Sequence, residues 1–562
     1  MKVFSPCAEY LTRQLIQKGI KNIVLCPGSR NAPMVDALFN SKAFNLITET
    51  DERNAGFVAL GLSIGQSKPA AIVCTSGSAV LNLLPALSEA KHQNQCIIAI
   101  TCDRPTEWIG QQDSQTIDHL TPLKAFCASQ AALQNDNLKQ HAWYNTREIN
   151  RCLNSDFKAP IQINVPLSDP LYTKSDYSES DYQKYTATES VQSKKTLFED
   201  SITQLNLELK KAKSIVILCG QLSPSEGQSL SIALKNIAQN TTIIAENTAN
   251  IELEGIRTID PWVMALQKQK DFGQPDIIIS LGGHFVSKKI KHLIRACKQS
   301  EIWRIAHEDY YPDTFQHLNK VIDVTPTEAF NCLTIDNAKK MQSWEDVYNE
   351  LPPFTQLATS NDALTDLRVY HHSSETLSNS NTVNWHYGNS SSIRYAQLFP
   401  YSKSTHYFAN RGVSGIEGCI STAKGIALSN PLKTNILMLG DLAFGYNLNG
   451  LQNLPKNLNV ILVNNSGGNI FRLIDGPSDV SGFEDFVECH HNTNHQLATQ
   501  HFGIVYLSAK TFSEFKTKLK TLLQDNKPGV LEVFTDRLLN KNILKTHLQQ
   551  FTNGKQENLE DN

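Results

Sequence analysis

The amino-acid sequence predicts an α/β protein built from three doubly wound parallel-sheet domains. Three observations predict it: short, almost continuous apolar runs; helix-like stretches that alternate with them; and two polar segments that divide the chain. The runs are Asn22–Leu25, Ala70–Cys74, Cys96–Thr101, Ser214–Leu218, Asp276–Ser280, Asn435–Leu439, Asn459–Val463 and Val530–Phe534. Apolarity without polar alternation is what strands covered by helices on both faces require. Strand–helix alternation places such strands in parallel sheets. The polar segments run from about residue 174 to 195 and from about 355 to 380, the second ending Ser-Ser-Glu-Thr-Leu-Ser-Asn-Ser. Both read as linkers. They leave expected domains at residues 1–175, 196–345 and 381–562.

Bulk properties narrow the class. Apolar residues make up 40% of the 562 and charged residues 19%, enough for large cores and against global disorder. A net charge of −3 points to neither a nucleic-acid partner nor an anionic membrane, so basic chemistry must be local. Twelve cysteines lack CxxC pairs, and several, such as Cys74 and Cys96, sit inside apolar runs. They read as small buried hydrophobes in a reducing compartment. The segment Met1–Pro6 lacks the apolar core of a signal peptide, and no apolar run approaches the ~18 residues of a membrane span. A cytoplasmic protein without membrane insertion is expected.

The outer blocks share a pattern. Gly61–Leu87 and Gly425–Leu451 are both 27 residues long and align without a gap: small-residue helix end, loop, buried strand, turn, helix. Duplication of one fold and the chance likeness of two common βα units are both open readings. Under duplication, two related sheets face each other and share one ligand between their strand ends.

In the third block, one strand ends in Gly440-Asp441-Leu442-Ala443-Phe444 and the next in Asn464-Asn465-Ser466-Gly467-Gly468. Carboxyl ends of strands are where ligands bind in open α/β sheets. Asp441 offers an anionic hard oxygen and Asn465 a neutral one, donors that magnesium prefers beside diphosphate oxygens and water. The bland alternative is a pair of turns with Asp441 and Asn465 as helix caps. Asp441 precedes Asn465 by 24 residues. Gly-Asp followed some two dozen residues later by Asn-Asn resembles the thiamine-diphosphate motif. That resemblance implies a metal held by Asp441, the side chain of Asn465 and the carbonyl of Gly467. The motif usually reads Gly-Asp-Gly, and here Leu442 stands third.

Thiamine chemistry needs a carboxyl against the aminopyrimidine ring, best in an apolar pocket that raises its pKa. The candidate is Glu52, ahead of a helix carrying Ala55, Gly56, Ala59 and Gly61. Spacing leaves Glu49 and Asp51 open as competitors, and a glutamate at a helix start commonly just meets the helix dipole. Glu52 is preferred because Asp-Glu-Arg before a Gly/Ala-rich helix resembles the catalytic segment of thiamine enzymes. Two strand-end loops, Cys26–Pro33 and Cys102–Pro105, carry Arg30 and Arg104. Arginine suits carboxylates because its planar fork bonds bidentately; a solvated surface ion pair is the alternative.

Taken together, Cys-Pro-Gly-Ser-Arg-Asn-Ala-Pro (26–33), Asp-Glu-Arg (51–53), Thr-Ser-Gly-Ser-Ala-Val (75–80), Asp-Arg-Pro (103–105), Gly-Asn-Ser (388–390) with Arg394, and Asn-Arg-Gly-Val-Ser-Gly-Ile-Glu-Gly (410–418) resemble the 2-succinyl-5-enolpyruvyl-6-hydroxy-3-cyclohexene-1-carboxylate synthases of menaquinone biosynthesis. In that family the metal motif reads Gly-Asp-Leu, which accounts for Leu442. The resemblance implies a thiamine-diphosphate-binding fold with pyrimidine-binding, central and diphosphate-binding domains. It implies thiamine diphosphate and Mg2+ (or Mn2+) as cofactors. It also implies a homodimer or homotetramer in which each coenzyme bridges the first domain of one chain and the third of another. The reaction implied is decarboxylation of 2-oxoglutarate and addition of its succinyl unit to isochorismate.

By the same resemblance Glu52 activates the cofactor, and Ser78, Ser390, Ile416, Asp441, Leu442, Ala443, Asn465 and Ile470 contact it. Ser390, Arg394 and Arg411 hold the carboxylates of 2-oxoglutarate and the succinyl adduct. Ser29, Arg30, Arg104 and Gln115 bind isochorismate, and Phe471 and Ile474 line the pocket with Ile470. Lys288 and Lys289 stand where the family has Lys-Arg; a lysine brings charge without the fork. No GxGxxG follows a strand in the central block, so no flavin is expected. Cys489-His490-His491 with His495 fits no common zinc spacing and reads as a polar loop with incidental histidines. The rivals are another thiamine enzyme, such as a 2-oxo-acid decarboxylase or an acetolactate-synthase-like enzyme, and a non-catalytic scaffold of the same fold.

Overall fold

A computed structural model describes residues 2–3, 5–136, 138–172, 174–175, 186–191, 193–254, 259–269, 271–307, 311–336, 338–351, 362–377, 383–399, 405–474, 476–525 and 527–551. These form two compact units. The first comprises Met1–Gln192, Asn410–Leu432 and Tyr446–Leu458. Its six-stranded parallel sheet runs Asn45–Thr48, Asn22–Leu25, Ala70–Cys74, Ile97–Asp103, Ile161–Pro166, Ser129–Ala132. Counted along the chain, that is order 2-1-3-4-6-5. The strands Asn22–Leu25, Ala70–Cys74 and Ile97–Asp103 are buried at every position, as their unbroken apolar runs require.

Within this unit the helix Glu52–Gln66 lies against the helix Cys419–Ser429 with backbones in contact. A Cβ added at Gly61 would sit 2.1 Å from the Thr422 carbonyl oxygen, and one at Gly425 would sit 2.2 Å from that of Val58. Only glycine permits so close an approach. The buried Lys424 amino group pairs with the Glu49 carboxylate and bonds the Gln452 carbonyl, fixing the same helix to the loop ahead of Glu52.

The second unit comprises Ser193–Ala409, Lys433–Gly445 and Asn459–Asn562 and holds two parallel sheets. One runs Thr242–Ala245, Ile215–Cys219, Ile277–Leu281, Glu301–Ile305, Leu318–Ile322, order 2-1-3-4-5. The other runs His406–Phe408, Val383–Tyr387, Thr434–Gly440, Leu458–Asn464, Gly529–Phe534, Val505–Ala509, again 2-1-3-4-6-5. The two six-stranded sheets thus share one strand order, and the gapless 27-residue match falls on a helix and the third strand of each. One strand order thus occurs twice in the chain.

The second polar segment is not a simple linker. It contains the helix Asp366–Leu377, which buries Asp366, Leu367, Val369, Tyr370, Ser373 and Leu377. Leu367, Val369, Tyr370 and Leu377 join the core beneath the last sheet. The helix hides in the sequence because Arg368, His371, His372 and Glu375 occupy its other face, so its composition is polar while its spacing is amphipathic. Of the rest of that segment, residues 355–361 and 378–380 lie outside the described residues, as do 176–185 and 192 of the first. All twelve cysteines are free thiols. Among the described residues, no helix is long and apolar enough to cross a membrane.

Candidate functional site

In doubly wound sheets, ligands sit outside the carboxyl ends of the strands where the strand order reverses. In the last sheet that switch point lies between Val383–Tyr387 and Thr434–Gly440, so Gly388-Asn389-Ser390 and Gly440-Asp441-Leu442 flank it. Gly388 packs on the neighbouring strand, where an added Cβ would meet Leu439 Cβ at 2.7 Å. Ser390 takes a φ of +70°, a strained conformation for a residue with a side chain. It leads into the short helix Ser391–Ala396, from which the Arg394 guanidinium bonds back to the Ser390 carbonyl.

Asp441 is 2% exposed and begins the next helix. Its Oδ1 accepts from Leu442 N–H at 2.7 Å and its Oδ2 from Gly467 N–H at 2.9 Å. His491 Nε2 lies 3.4 Å from Oδ2, and the carboxylate pulls the imidazole pKa upward. Asn465 directly follows the adjacent strand, is buried, and donates from Nδ2 to Asp366 Oδ2 at 2.9 Å. Its Oδ1 is buried without a hydrogen-bond partner. Gly467 has a φ of +143°, and a Cβ there would lie 2.7 Å from the Glu488 carbonyl oxygen.

These observations test whether a metal–diphosphate group fits. Asp441 supplies an anionic oxygen, Asn465 a buried oxygen with unused acceptor capacity, and Gly467 a backbone carbonyl. A Cβ on Gly440 would meet no atom within 4 Å, so open space lies beside the residue that precedes Asp441. Hard oxygens beside open space suit a small divalent cation carrying phosphate oxygens. The histidine-rich loop requires a correction. His491 touches Asp441, and His495 is buried, its ring 5.0 Å from that of Phe444 with an edge-on tilt. His491 is therefore tied to the donor set, while His495 packs on the neighbouring Phe444. Among the described residues, no three His, Cys, Asp or Glu side chains gather as a metal site of their own.

Other expected residues of this unit surround two carboxylates. Asp260 accepts from Ser287 Oγ, lies 3.7 Å from Lys289 Nζ, and opposes the burial that lowers the Arg394 pKa. Lys289 and Arg394 are thus brought into one electrostatic neighbourhood, whereas Lys288 is exposed. Glu488, 1% exposed, binds Arg472 and Arg537 and anchors the short helix Ile470–Leu473. Ile470 and Phe471 are half-buried there, Leu442 is half-buried and Ala443 buried, and Ile474 is exposed.

In the first unit the corresponding switch point lies between Asn22–Leu25 and Ala70–Cys74. A cavity of about 420 Å³ adjoins it, lined among others by Cys26, Pro27, Gly28, Asn31 and Thr48. Ser29 is exposed beside it. Arg30 is buried, bonding the Leu167 carbonyl at 2.7 Å and Asp169 Oδ2 at 3.2 Å. Arg104 Nη1 lies 3.0 Å from Asp113 and 3.7 Å from the same Asp169 oxygen. The two arginines converge, so Arg30 is no solvated surface pair. Gln115, exposed with a φ of +55°, packs on the turn holding Ser78, where a Cβ on Gly77 would lie 3.2 Å from it. Ser78 is exposed.

The three neighbouring carboxyls separate. Glu49 is committed to Lys424, and Asp51 caps the helix by accepting from Arg53 N–H at 2.9 Å and Asn54 N–H at 3.2 Å. The Glu52 side chain, half-buried, makes no hydrogen bond or ion pair among the described residues. Arg411 is buried and Ile416 half-buried in a segment anchored by Glu89, which accepts from the N–H groups of Gly412, Val413 and Ser414 at 2.6, 2.8 and 3.3 Å. Sequence reading missed Glu89, Asp169, Asp260 and Asp366, and gave His491 no role. The partner of each is remote in the chain, so no spacing signals it.

Comparison with known proteins agrees with this geometry. Residues 6–121 match the family described as thiamine pyrophosphate enzyme, N-terminal TPP binding domain. Residues 179–383 match the middle domain of thiamine pyrophosphate, and residues 388–533 the thiamine pyrophosphate enzyme, C-terminal TPP binding domain. A 2-succinyl-5-enolpyruvyl-6-hydroxy-3-cyclohexene-1-carboxylate synthase of Bacteroides fragilis is 31% identical, covering 95% of this chain and 97% of its own length. Proteins of the same name from Flavobacterium johnsoniae and Desulfotalea psychrophila are each 33% identical, over 95% and 94% of this chain and 97% of their own lengths. The chain belongs to the thiamine pyrophosphate enzymes and, within them, to the 2-succinyl-5-enolpyruvyl-6-hydroxy-3-cyclohexene-1-carboxylate synthase family.

Proposed function

We propose that this chain, with thiamine diphosphate and Mg2+, decarboxylates 2-oxoglutarate and transfers the succinyl unit to isochorismate. The products are 2-succinyl-5-enolpyruvyl-6-hydroxy-3-cyclohexene-1-carboxylate and CO2, and the setting is menaquinone biosynthesis in the cytoplasm. The carrying observation is the donor set at the last sheet's switch point: buried Asp441, the partnerless Asn465 Oδ1, and open space at Gly440. Asp441, Asn465 and the Gly467 carbonyl hold the metal and its diphosphate. When bound, thiamine diphosphate supplies the nucleophilic carbon and stores the electron pair released with CO2.

Glu52 moves a proton at the aminopyrimidine nitrogen; its freedom from the ion pair and cap that occupy Glu49 and Asp51 supports that role. Ser390, Arg394 and Arg411 orient the carboxylates of 2-oxoglutarate, and Ser29, Arg30, Arg104, Gln115, Lys288 and Lys289 those of isochorismate. Charge-assisted hydrogen bonds from arginine favour such groups. Ser78, Ile416, Leu442 and Ala443 shape the coenzyme's bed, while Ile470, Phe471 and Ile474 exclude water. The chain divides into domains at residues 1–175, 196–345 and 381–562, with the helix Asp366–Leu377 joining the last. The active assembly is a homodimer or homotetramer in which Glu52 of one copy and Asp441 of another serve one coenzyme.

The test supplies 2-oxoglutarate or pyruvate, with and without isochorismate. Loss of isochorismate absorbance with 2-oxoglutarate and not with pyruvate supports the reading. Turnover of pyruvate instead assigns the chain to another thiamine enzyme class.

A further inference from the structure

The functional reading leaves Asp366 unused, although its carboxylate is 1% exposed and touches the donor set. Every oxygen of that carboxylate is engaged. Oδ2 accepts from Asn465 Nδ2 at 2.9 Å; Oδ1 accepts from Thr535 Oγ1 at 2.6 Å and Asn540 Nδ2 at 2.9 Å. Asn540 Oδ1 in turn accepts from the Asp366 N–H at 2.9 Å. Asp366 is thereby locked at the first turn of its helix.

The Asn465 amide can present either its oxygen or its NH2 group to the strand-end space. Both Asp366 carboxylate oxygens act as acceptors here, Oδ2 toward Asn465. The NH2 group therefore faces Asp366, because the flipped amide would set oxygen against oxygen inside the protein. The remaining atom, Oδ1, points away without a hydrogen-bond partner. We infer that Asp366 is a positioning residue that fixes the Asn465 amide with its oxygen toward the metal. The inference rests on the reading of Asp441 and Asn465 as metal ligands. Partners that orient ligating groups typically change metal affinity about 10- to 100-fold when replaced.

The experiment measures thiamine diphosphate binding calorimetrically at several Mg2+ concentrations for the full-length wild type, Asp366→Asn, and the swapped double variant Asp366→Asn/Asn465→Asp. Unfolding temperature and near-ultraviolet circular dichroism of each apoprotein report folding. In Asp366→Asn the new amide can donate, so Asn465 turns its NH2 toward the cation. Mg2+-dependent binding should weaken about 10- to 100-fold with the apoprotein still folded. In the swapped pair the amide placed at position 366 donates to one oxygen of the carboxylate placed at position 465. The other carboxylate oxygen faces the metal, so at least about tenfold of the loss should return.

A folded Asp366→Asn variant that binds like wild type overturns the inference, and so does a swap no better than the single change. Should the single variant not fold, the swap decides alone: binding within about tenfold of wild type supports the role, and no binding overturns it. A wild type that binds no thiamine diphosphate at any Mg2+ concentration refutes the metal-site reading instead.

Discussion

Replacing Lys424 with methionine removes one half of a buried ion pair whose side chains are each 1% exposed. Methionine keeps most of the stem's volume, so the loss is electrostatic rather than a cavity. Two groups are abandoned: the Glu49 carboxylate and the Gln452 carbonyl. Breaking a buried pair by removing one partner costs about 3–5 kcal/mol. Glu49 has an escape, because protonation neutralises it at about 1.4 kcal/mol per pH unit above its pKa. Burial already pushes that pKa up while Lys424 holds it down, and removing Lys424 raises it further. A carboxyl whose folded-state pKa lies above its unfolded value near 4.3 destabilises progressively as pH rises past that value. The penalty should therefore be largest at pH 8 and shrink toward pH 5. A chain of several domains need not unfold in two states, so amide hydrogen exchange in the helices Glu52–Gln66 and Cys419–Ser429 is the suitable assay. At pH 8 protection should fall by about two to four orders of magnitude, and Glu49→Leu/Lys424→Met should restore most of it. Protection within about tenfold of wild type at pH 8, or an equal loss at pH 5, would refute the reasoning.

Three further outcomes are expected. Gly425→Val drives a Cβ to 2.2 Å from the Val58 carbonyl and should cost about 1–3 kcal/mol or more; an unchanged calorimetric unfolding profile would deny the backbone contact. His386, buried, 5.1 Å from the Phe408 ring and bonded to Asn435, has its pKa lowered by burial from 6.5 to about 4. Its contribution is fully present above pH 6.5 and is lost as pH falls toward 4, about 3 kcal/mol in all, so His386→Phe should flatten the acid side of a denaturant-midpoint profile. Arg104→Lys forfeits the fork that reaches Asp113 at 3.0 Å and the Ser114 carbonyl at 3.1 Å. The KM for isochorismate should rise about tenfold while 2-oxoglutarate-dependent CO2 release stays near wild type, and an unchanged KM would remove Arg104 from substrate recognition.

What could be read from the residues follows from where the signals lie in the chain. Strands buried on both faces leave unbroken apolar runs, so Ala70–Cys74 and Asn435–Leu439 were visible at once. Asp441 and Asn465 were visible because they sit at the ends of such runs with a fixed spacing. The helix Asp366–Leu377 was not, since a half-polar amphipathic helix resembles a linker by composition. Nor could spacing choose Glu52 over Glu49 and Asp51. The choice depends on Lys424, which is 375 positions away from Glu49. Carboxylates that hold basic side chains in place, such as Asp169 beneath Arg30 and Arg104, were hidden for the same reason.

Subunit mixing tests most directly whether one coenzyme is served by Glu52 of one copy and Asp441 of another. Glu52→Gln and Asp441→Asn proteins should each lose activity, by about 10²- to 10⁴-fold for the acid–base residue. After subunit exchange, half the dimers are mixed and each mixed dimer carries one intact site, so about a quarter of wild-type turnover should return. A mixture that has exchanged subunits, shown by native mass spectrometry, yet stays as inactive as its parents would contradict the account.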